Sequence, residues 1–372
     1  MSDTETANLT GLPDDIASQG NPTVEVRESV ALDAGVVDGV LKSHIPGLQG
    51  EPAIRLYPSG ASNLTYAVDY PDRRLVLRRP PFGYIPKGGH NMFREYRIMR
   101  DLAPAFPKVP PVLLYQSDEE SVLGREFYVM DRVDGHIVHL DIPSDWGWDA
   151  GRTRELCENY FQTLVDLHEV DYAALGLADF GRPEGYVERQ ITGWNRRWEK
   201  AYTPDQDRYE DVQRWLVDHM PPDSGKASVL HGDYRIDNCI LDADDPRRVA
   251  AVLDWEICAL GDPLMDLGNT LTYWIQPSDP PAMKATVRQP SLAPGMMTRR
   301  EILDFYADRT GTDVSGFNYY YVYGIWRLAV VIQQLYKRFH DGATDDPRFR
   351  SYPLMVASLG DLARYKIAND EF

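Results

Sequence analysis

The chain has 372 residues, of which 43% are apolar and 26% charged, and its formal net charge is −18. One hydrophobic core stops growing at about 250–300 residues, so two lobes are expected. The acidic balance excludes nucleic acid or an anionic membrane as the main partner, because both select basic surfaces, while a nucleotide needs only a few local donors. Cys157, Cys239 and Cys258 form no C-x-x-C pair. They predict neither a disulfide framework nor a zinc site and fit a reducing cytoplasm. No apolar leader core is expected at the acidic N-terminus, and no run approaches the ~18 apolar residues of a membrane span.

In chain order, residues 1–28 are polar and read as a flexible N-terminal segment. Residues 29–133 read as a small, strand-rich lobe. Thr65–Tyr70 and Leu75–Arg79 are short β runs around a turn at Pro71, Asp72 and Arg73. Asn91–Ala103 reads as a helix with Phe93, Tyr96, Met99 and Ala103 on one face. Phe127–Asp131 is a further strand, and Val133–Gly135 a turn. Residues 134–372 read as a larger, mainly helical lobe, with helices over Arg152–Val170, Tyr186–Met220, Arg299–Thr310, Phe317–His340 and Arg350–Ala368. One β island interrupts them from Val229 to Trp255. Gln276–Met297 is rich in Pro and small residues and reads as a substrate lid or a disordered segment. A cleft between two such lobes favours a small-molecule site.

The sharpest signal is the run from Val229 to Leu241, which contains His231, Asp233, Arg235 and Asn238, followed by the strand ending in Asp254-Trp255. Two β runs flank a turn at residues 242–246, and residues 238 and 254 are equidistant from its end. A symmetric hairpin sets Asn238 opposite Asp254. An amide oxygen and a carboxylate then converge as hard ligands suited to Mg²⁺ carrying nucleotide phosphates. Asp233, on the loop entering the hairpin, is placed to take a proton from an attacking hydroxyl. Arg235 is a candidate for holding the γ-phosphate, with an ion pair to Asp237 as its ordinary alternative. His231 reads as a brace of the loop backbone. Asp262 before Pro263 reads as a helix cap. His168-Glu169 lacks the second His of a zinc helix, and no Walker A loop is present.

His231-Gly-Asp233, then Asn238, then the strand into Asp254-Trp255, then Gly261-Asp-Pro-Leu-Met-Asp-Leu-Gly268 together resemble the aminoglycoside phosphotransferase-like kinases. The Asp233-to-Asn238 spacing equals that of the protein-kinase catalytic loop. Gly60–Tyr66, Val76–Pro81 and Val252–Glu256 are similar to the branch that also occurs as the N-terminal kinase domain of acyl-CoA dehydrogenase fusions. The resemblance implies an α+β, bilobal, protein-kinase-like fold and a kinase using ATP and Mg²⁺. By it, Asp233 is the catalytic base, and Asn238 and Asp254 are the metal ligands. Ser59, Gly60, Ser62 and Asn63 form the loop over the phosphates. Glu95 pairs with a strand cation, Arg78, where most kinases have Lys. Met130, Asp131 and Val133 form the adenine hinge, and Asp266 supports the catalytic loop. The implied partner is a small hydroxylated molecule bound to a monomer or homodimer. Tyr186, Trp194, Trp198, Tyr273, Trp274, Tyr319, Tyr320 and Trp326 are candidates for its pocket, against the ordinary reading as core. Two rivals are a pseudokinase that binds nucleotide without turnover and a metal-dependent hydrolase built on His231, Asp233 and Asp254.

Overall fold

The computed structural model describes residues 23–26, 30–57, 63–81, 91–222, 225–284, 286–369 and 372. Ser59, Gly60 and Ser62 of the expected phosphate loop lie outside these residues, as does most of the 1–28 segment.

Helix α1 (Ala34–His44) begins at Asp33, whose side chain accepts the Val36 N–H at 3.0 Å. Strands β1 (Ala53–Leu56), β2 (Leu64–Asp69) and β3 (Arg74–Arg79) follow, and the β2–β3 hairpin closes where Tyr70 N donates to Arg73 O at 2.9 Å. Helix α2 (Met92–Leu102) is capped by Asn91, which accepts from Arg94 N at 2.8 Å. Strands β4 (Val112–Gln116) and β5 (Phe127–Asp131) complete an antiparallel sheet of order β1-β2-β3-β5-β4. Alternation along the strands gives the sheet two apolar faces. Tyr66, Val68, Leu75, Leu77, Phe127 and Val129 pack with Val37 and Leu41 of α1. Val76, Tyr128 and Met130 face the other way, into the large core that also takes Met92, Ile98, Met99 and Leu102 of α2.

The buried face of α2 differs from the expected one. Met92, Glu95, Ile98, Met99 and Leu102 are inside, whereas Phe93 is 44% exposed. Phe93 and Tyr96 instead stack on Tyr115 at 5.1 and 5.6 Å. An apolar count misreads this helix because its inward stripe includes a carboxylate.

The chain then enters β6 (Gly135–His136) directly rather than turning at Val133–Gly135. Helix α3 (Ala150–His168) is the first long helix of the larger lobe. The span 186–220, expected as one helix, is two: α4 (Tyr186–Ala201) and α5 (Glu210–Asp218), separated by a segment that contains Pro204. The β island comprises β7 (Ser228–Leu230), β8 (Cys239–Asp242), β9 (Val249–Val252) and β10 (Ala259–Gly261), with pairings β10-β7 and β6-β8-β9. Helix α6 (Pro263–Thr272) starts at Asp262, which accepts from Leu264 N at 2.9 Å with Pro263 in the first turn, as the sequence implied. After the short α7 (Pro281–Lys284) come α8 (Arg299–Thr310), α9 (Phe317–His340) and α10 (Tyr352–Asn369).

The described part of 276–297 is packed, not a loose lid. Arg299 pairs in the interior with Asp279 and donates to Trp274 O at 2.9 Å. Gln289, fully buried, bonds Ile236 N at 3.1 Å and Tyr273 O at 3.2 Å. Among the described residues no helix is long and apolar enough to cross a membrane.

Candidate active site

The loop after β7 is held from beneath by one carboxylate. Asp266, on the first turn of α6, accepts His231 N at 2.7 Å and Gly232 N at 2.8 Å. His168, at the end of α3, donates from Nε2 to Asp266 Oδ2 at 3.3 Å, and its Nδ1 accepts from Tyr306 OH at 2.8 Å. Burial works to raise the Asp266 pKa, but the His168 hydrogen bond and the nearby His231 hold it below the ordinary carboxylate value. His231 spans the loop itself: Nε2 donates to Leu253 O at 2.7 Å, and Nδ1 accepts Asp233 N at 3.3 Å. Gly232 takes φ 84°, and a Cβ there would press on Ile257 at 3.1 Å, so this turn requires glycine.

These contacts set Asp233 at the mouth of the loop. Asn238 Nδ2 donates to Asp233 O at 2.9 Å and Oδ2 at 3.3 Å, so the Asn238 amide oxygen remains as an acceptor. The hairpin register differs by one residue from the symmetric expectation. The turn closes with Leu241 opposite Val249, a bulge between Ile240 and Leu241 brings the pairing partway back, and Asn238 O accepts Leu253 N at 2.7 Å. Asp254 therefore stands one residue beyond the direct partner of Asn238. It reaches the site through left-handed backbone, φ 67° and ψ 59°, a conformation that costs a non-glycine residue about 1–2 kcal/mol.

Arg235 lies between two acids, 3.6 Å from Asp233 Oδ2 and 3.2 Å from Asp237 Oδ1, with its guanidinium 5.3 Å from the Tyr273 ring centre. Burial raises the Asp237 pKa, against the pull of Arg235. The ion pair to Asp237, the ordinary reading of Arg235, is present in this geometry, and the same guanidinium also lies near Asp233.

Arg78 of β3 is the hub of a second group. Its Nη2 donates to Asp254 Oδ1 at 2.8 Å, lies 3.5 Å from Glu256 Oε2, and its Nε lies 3.4 Å from Glu95 Oε2. Asn63 Nδ2 bridges Glu95 at 3.3 Å and Glu256 at 3.2 Å, and Tyr128 OH donates to Glu95 at 3.0 Å. Burial pushes the Glu95 carboxyl up to about 7; Arg78 and Tyr128 pull against this, while Asp254 and Glu256 add to it. Neighbouring Arg79 points elsewhere, to Leu123 O at 3.3 Å.

In the expected hinge, Asp131 N donates to Pro111 O at 2.9 Å and Arg132 N to Arg74 O at 2.9 Å. The Asp131 carboxylate is committed to Arg73 at 2.8 and 2.9 Å. Among the pocket candidates, Trp198, Trp274, Tyr319, Tyr320 and Trp326 are buried core, while Tyr186, Trp194 and Tyr273 keep partial exposure. A cavity of about 530 Å³ lined by Leu140, Trp148, Thr153 and Pro290 among others contains none of the expected site residues.

Sequence reasoning missed His168, Glu256 and Gln289 as parts of this assembly. Glu256 stands in the same string as Asp254, but only the fold reveals that it shares Arg78. No spacing signal connects His168 to Asp266 or Gln289 to Ile236, because both contacts join distant segments.

The model of the phosphotransferase enzyme family (APH) matches residues 53–302, a span that holds Arg78, Glu95, Asp233, Asn238, Asp254 and Asp266. The chain belongs to the phosphotransferase enzyme family. Acyl-CoA dehydrogenase family member 11 of Gallus gallus is 32% identical over 355 residues, covering 91% of this chain and 44% of the relative. The chain spans less than half of that relative. A Ralstonia eutropha protein described as an aminoglycoside phosphotransferase superposes with TM-score 0.75 at 28% identity, covering 90% of this chain and 99% of that one. The streptomycin–ATP ternary complex of APH(2'')-IIa shares the fold, with TM-score 0.54 at 15% identity, over 82% of this chain and 91% of that one. The phosphotransferase fold is therefore the protein-kinase-like, α+β arrangement that the motif set implied, and both strands of the resemblance, to aminoglycoside phosphotransferases and to the acyl-CoA dehydrogenase branch, are borne out.

Proposed function

We propose that this phosphotransferase moves the γ-phosphate of ATP to the hydroxyl of a small metabolite, with Asp233 as the base. The observation that carries the reading is the positioning of Asp233: its backbone N–H is fixed by His231, its side chain by Asn238, and the loop below by Asp266. Phosphoryl transfer asks a protein chiefly for such positioning and for charge stabilisation. The acceptor oxygen forms a bond to the γ-phosphorus as the bridging bond to the β-phosphate breaks. The acceptor proton passes to the Asp233 carboxylate, and ADP leaves.

Asn238 and Asp254 fit a magnesium ion: the Asn238 amide oxygen is not used by its own N–H contacts, and Asp254 accepts strain to present its carboxylate. Bound there, the ion would neutralise phosphate charge. Among the described residues no three His, Cys, Asp or Glu side chains form a metal cage, and a two-ligand site that relies on substrate phosphates does not need one. Arg78 and Asn63 would face the phosphates, Asp131 and Val133 the adenine, and Arg235 the transferring group. The ATP complex among its structural neighbours is in keeping with this.

One observation favours a second reading, nucleotide binding without turnover: Arg78 is already engaged by Glu95, Asp254 and Glu256. Calorimetric titration of ATP with and without Mg²⁺, paired with ADP formation over a panel of alcohols, tests both. The expected result is Mg²⁺-strengthened binding. Asp233→Asn should keep that binding and lose turnover. Asp254→Asn, which tolerates the left-handed backbone, should bind ATP with no gain from Mg²⁺. Full turnover in Asp233→Asn would refute the base assignment, and binding with no ADP from any alcohol would favour the second reading.

A further inference from the structure

Between α4 and α9 lies a cluster of arginines and aromatic rings that the proposed chemistry leaves unused. Gln190 and Trp194, one turn apart on α4, meet Tyr323 and Arg327, one turn apart on α9. Gln190 Oε1 accepts from Trp194 Nε1 at 3.2 Å and from Tyr323 OH at 3.5 Å. The Arg327 guanidinium lies 5.4 Å from the Trp194 ring centre, and that of Arg197 lies 4.4 Å from the same ring. Arg327 is half-buried, yet among the described residues no Asp or Glu oxygen is within ion-pair distance of it or of Arg197. By contrast, Arg78, Arg235 and Arg299 are each bound by carboxylates.

Gly324, three residues before Arg327, lies against Thr272; the next residue, Tyr273, has its ring centre 5.3 Å from the Arg235 guanidinium, which is itself 3.6 Å from Asp233 Oδ2. Burial disfavours the charge of Arg327, but Tyr323, Tyr273 and Asp233 hold its pKa above the ordinary value. Burial likewise raises the Tyr273 phenol, with Asp233, Arg327 and Arg235 all acting on it. Aromatic faces compensate part of the cost of a half-buried guanidinium. An organic anion would complete the compensation, because the planar fork matches carboxylate or phosphate oxygens two at a time. A cationic acceptor would meet repulsion from both arginines.

On the reading of the chain as an ATP-dependent phosphotransferase, we infer that its acceptor is an organic anion, held by a carboxylate or phosphate at Arg327 beside Trp194 while its hydroxyl reaches Asp233. The test measures ADP formation with four sets of alcohols: hydroxycarboxylates, polyol phosphates, neutral amides of those hydroxycarboxylates, and an aminoglycoside. Wild type, Arg327→Met and Arg327→Lys are compared, with MgATP binding and Tm recorded for each. The expected result is turnover confined to the anionic sets, and the preferred set tells carboxylate from phosphate. Arg327→Met should raise KM for the anion about tenfold or more with KM for ATP unmoved, and Arg327→Lys should recover part of the loss. If Arg327→Met fails to fold, the wild-type selectivity and the Lys variant decide. Equal use of amides or aminoglycoside, an unchanged anion KM in folded Arg327→Met, or bound MgATP with no anionic acceptor turned over would each overturn the inference while leaving the nucleotide site standing. Absence of MgATP binding would remove the phosphotransferase reading itself, and the inference with it.

Discussion

Three carboxylates, Glu95, Asp254 and Glu256, share the one guanidinium of Arg78. A lysine ammonium is a point charge, whereas the arginine fork presents separate N–H groups to separate acids, which accounts for arginine at this strand position. The imbalance of charge has a pH signature. Glu95 is pushed up to about 7, first by burial, from a carboxylate value of 4.5. In the window between those values the unfolded chain has ionised while the folded chain still holds the proton, so stability falls as pH rises, and it levels off above about 7. Glu95→Gln has no such proton to lose. Unfolding with denaturant across pH 4.5 to 8 should show wild type losing ground to Glu95→Gln by on the order of 1 kcal/mol per pH unit up to neutrality, then holding a constant gap. A gap independent of pH would refute the elevated carboxyl. At this scale the resemblance implied Glu95 beside Arg78, but neither the share of Glu256 in that guanidinium nor the burial of Glu95 at 1% exposure was legible, because the inward stripe of the helix was read by its apolar residues. The one-residue displacement of Asp254 from Asn238 follows from where the turn closes: Leu241 pairs with Val249, short of symmetry about residue 246, and the bulge at Ile240 and Leu241, which carry no mark that announces it, makes up part of the difference.

Helices α6 and α9 approach through two glycines. A Cβ on Gly268 would lie 2.4 Å from Tyr320 O, and one on Gly324 would lie 2.5 Å from Gly268 O. Both obstacles are backbone, so neither can swing aside. Gly268→Ala or Gly324→Ala must separate the helices, at about 1–3 kcal/mol for overpacking of this kind, and a lowered Tm is expected for each. Gly268 also sits two residues after Asp266, which holds the catalytic loop. Gly268→Ala should therefore lower kcat as well as Tm. If the Tm of both variants matched wild type, the close approach would be refuted. Element boundaries were legible where caps mark them: Asn91 opens α2, and Thr298 with Glu301 forms the capping box that opens α8. The break between α4 and α5 was signalled by Pro204 but overridden by the helical pattern on both sides. The order in 276–297 was not legible, because it depends on Asp279 and Gln289 finding Arg299 and Ile236 across the fold.

The sheet lobe and the helical lobe are joined by more than the covalent connection through β6. Helix α2 packs its inner stripe into the large core, while the opposite face of the sheet has a separate core with α1. Arg94 fixes the helix to the larger lobe. Its guanidinium lies 3.8 Å from the Phe180 ring centre, Nη1 donates to Phe180 O at 2.8 Å, and Nη2 donates to Cys258 O at 3.0 Å. The next residue is Glu95, and Cys258 follows Glu256 by two positions, so Arg94 clamps both elements whose acids meet at Arg78. Loss of the clamp should loosen the nucleotide side without unfolding the helical lobe. In Arg94→Ala, amide hydrogen exchange is expected to rise in α2 and β3, stay unchanged in α6 and α9, and accompany a severalfold higher KM for ATP. Arg97→Ala is the control, since its pairing with Asp179 lies at the exposed rim, where ion pairs contribute about 0–1 kcal/mol. Equal exchange in the two variants would mean that apolar packing of α2 alone sets the lobe geometry, and that the Arg94 contacts only decorate it.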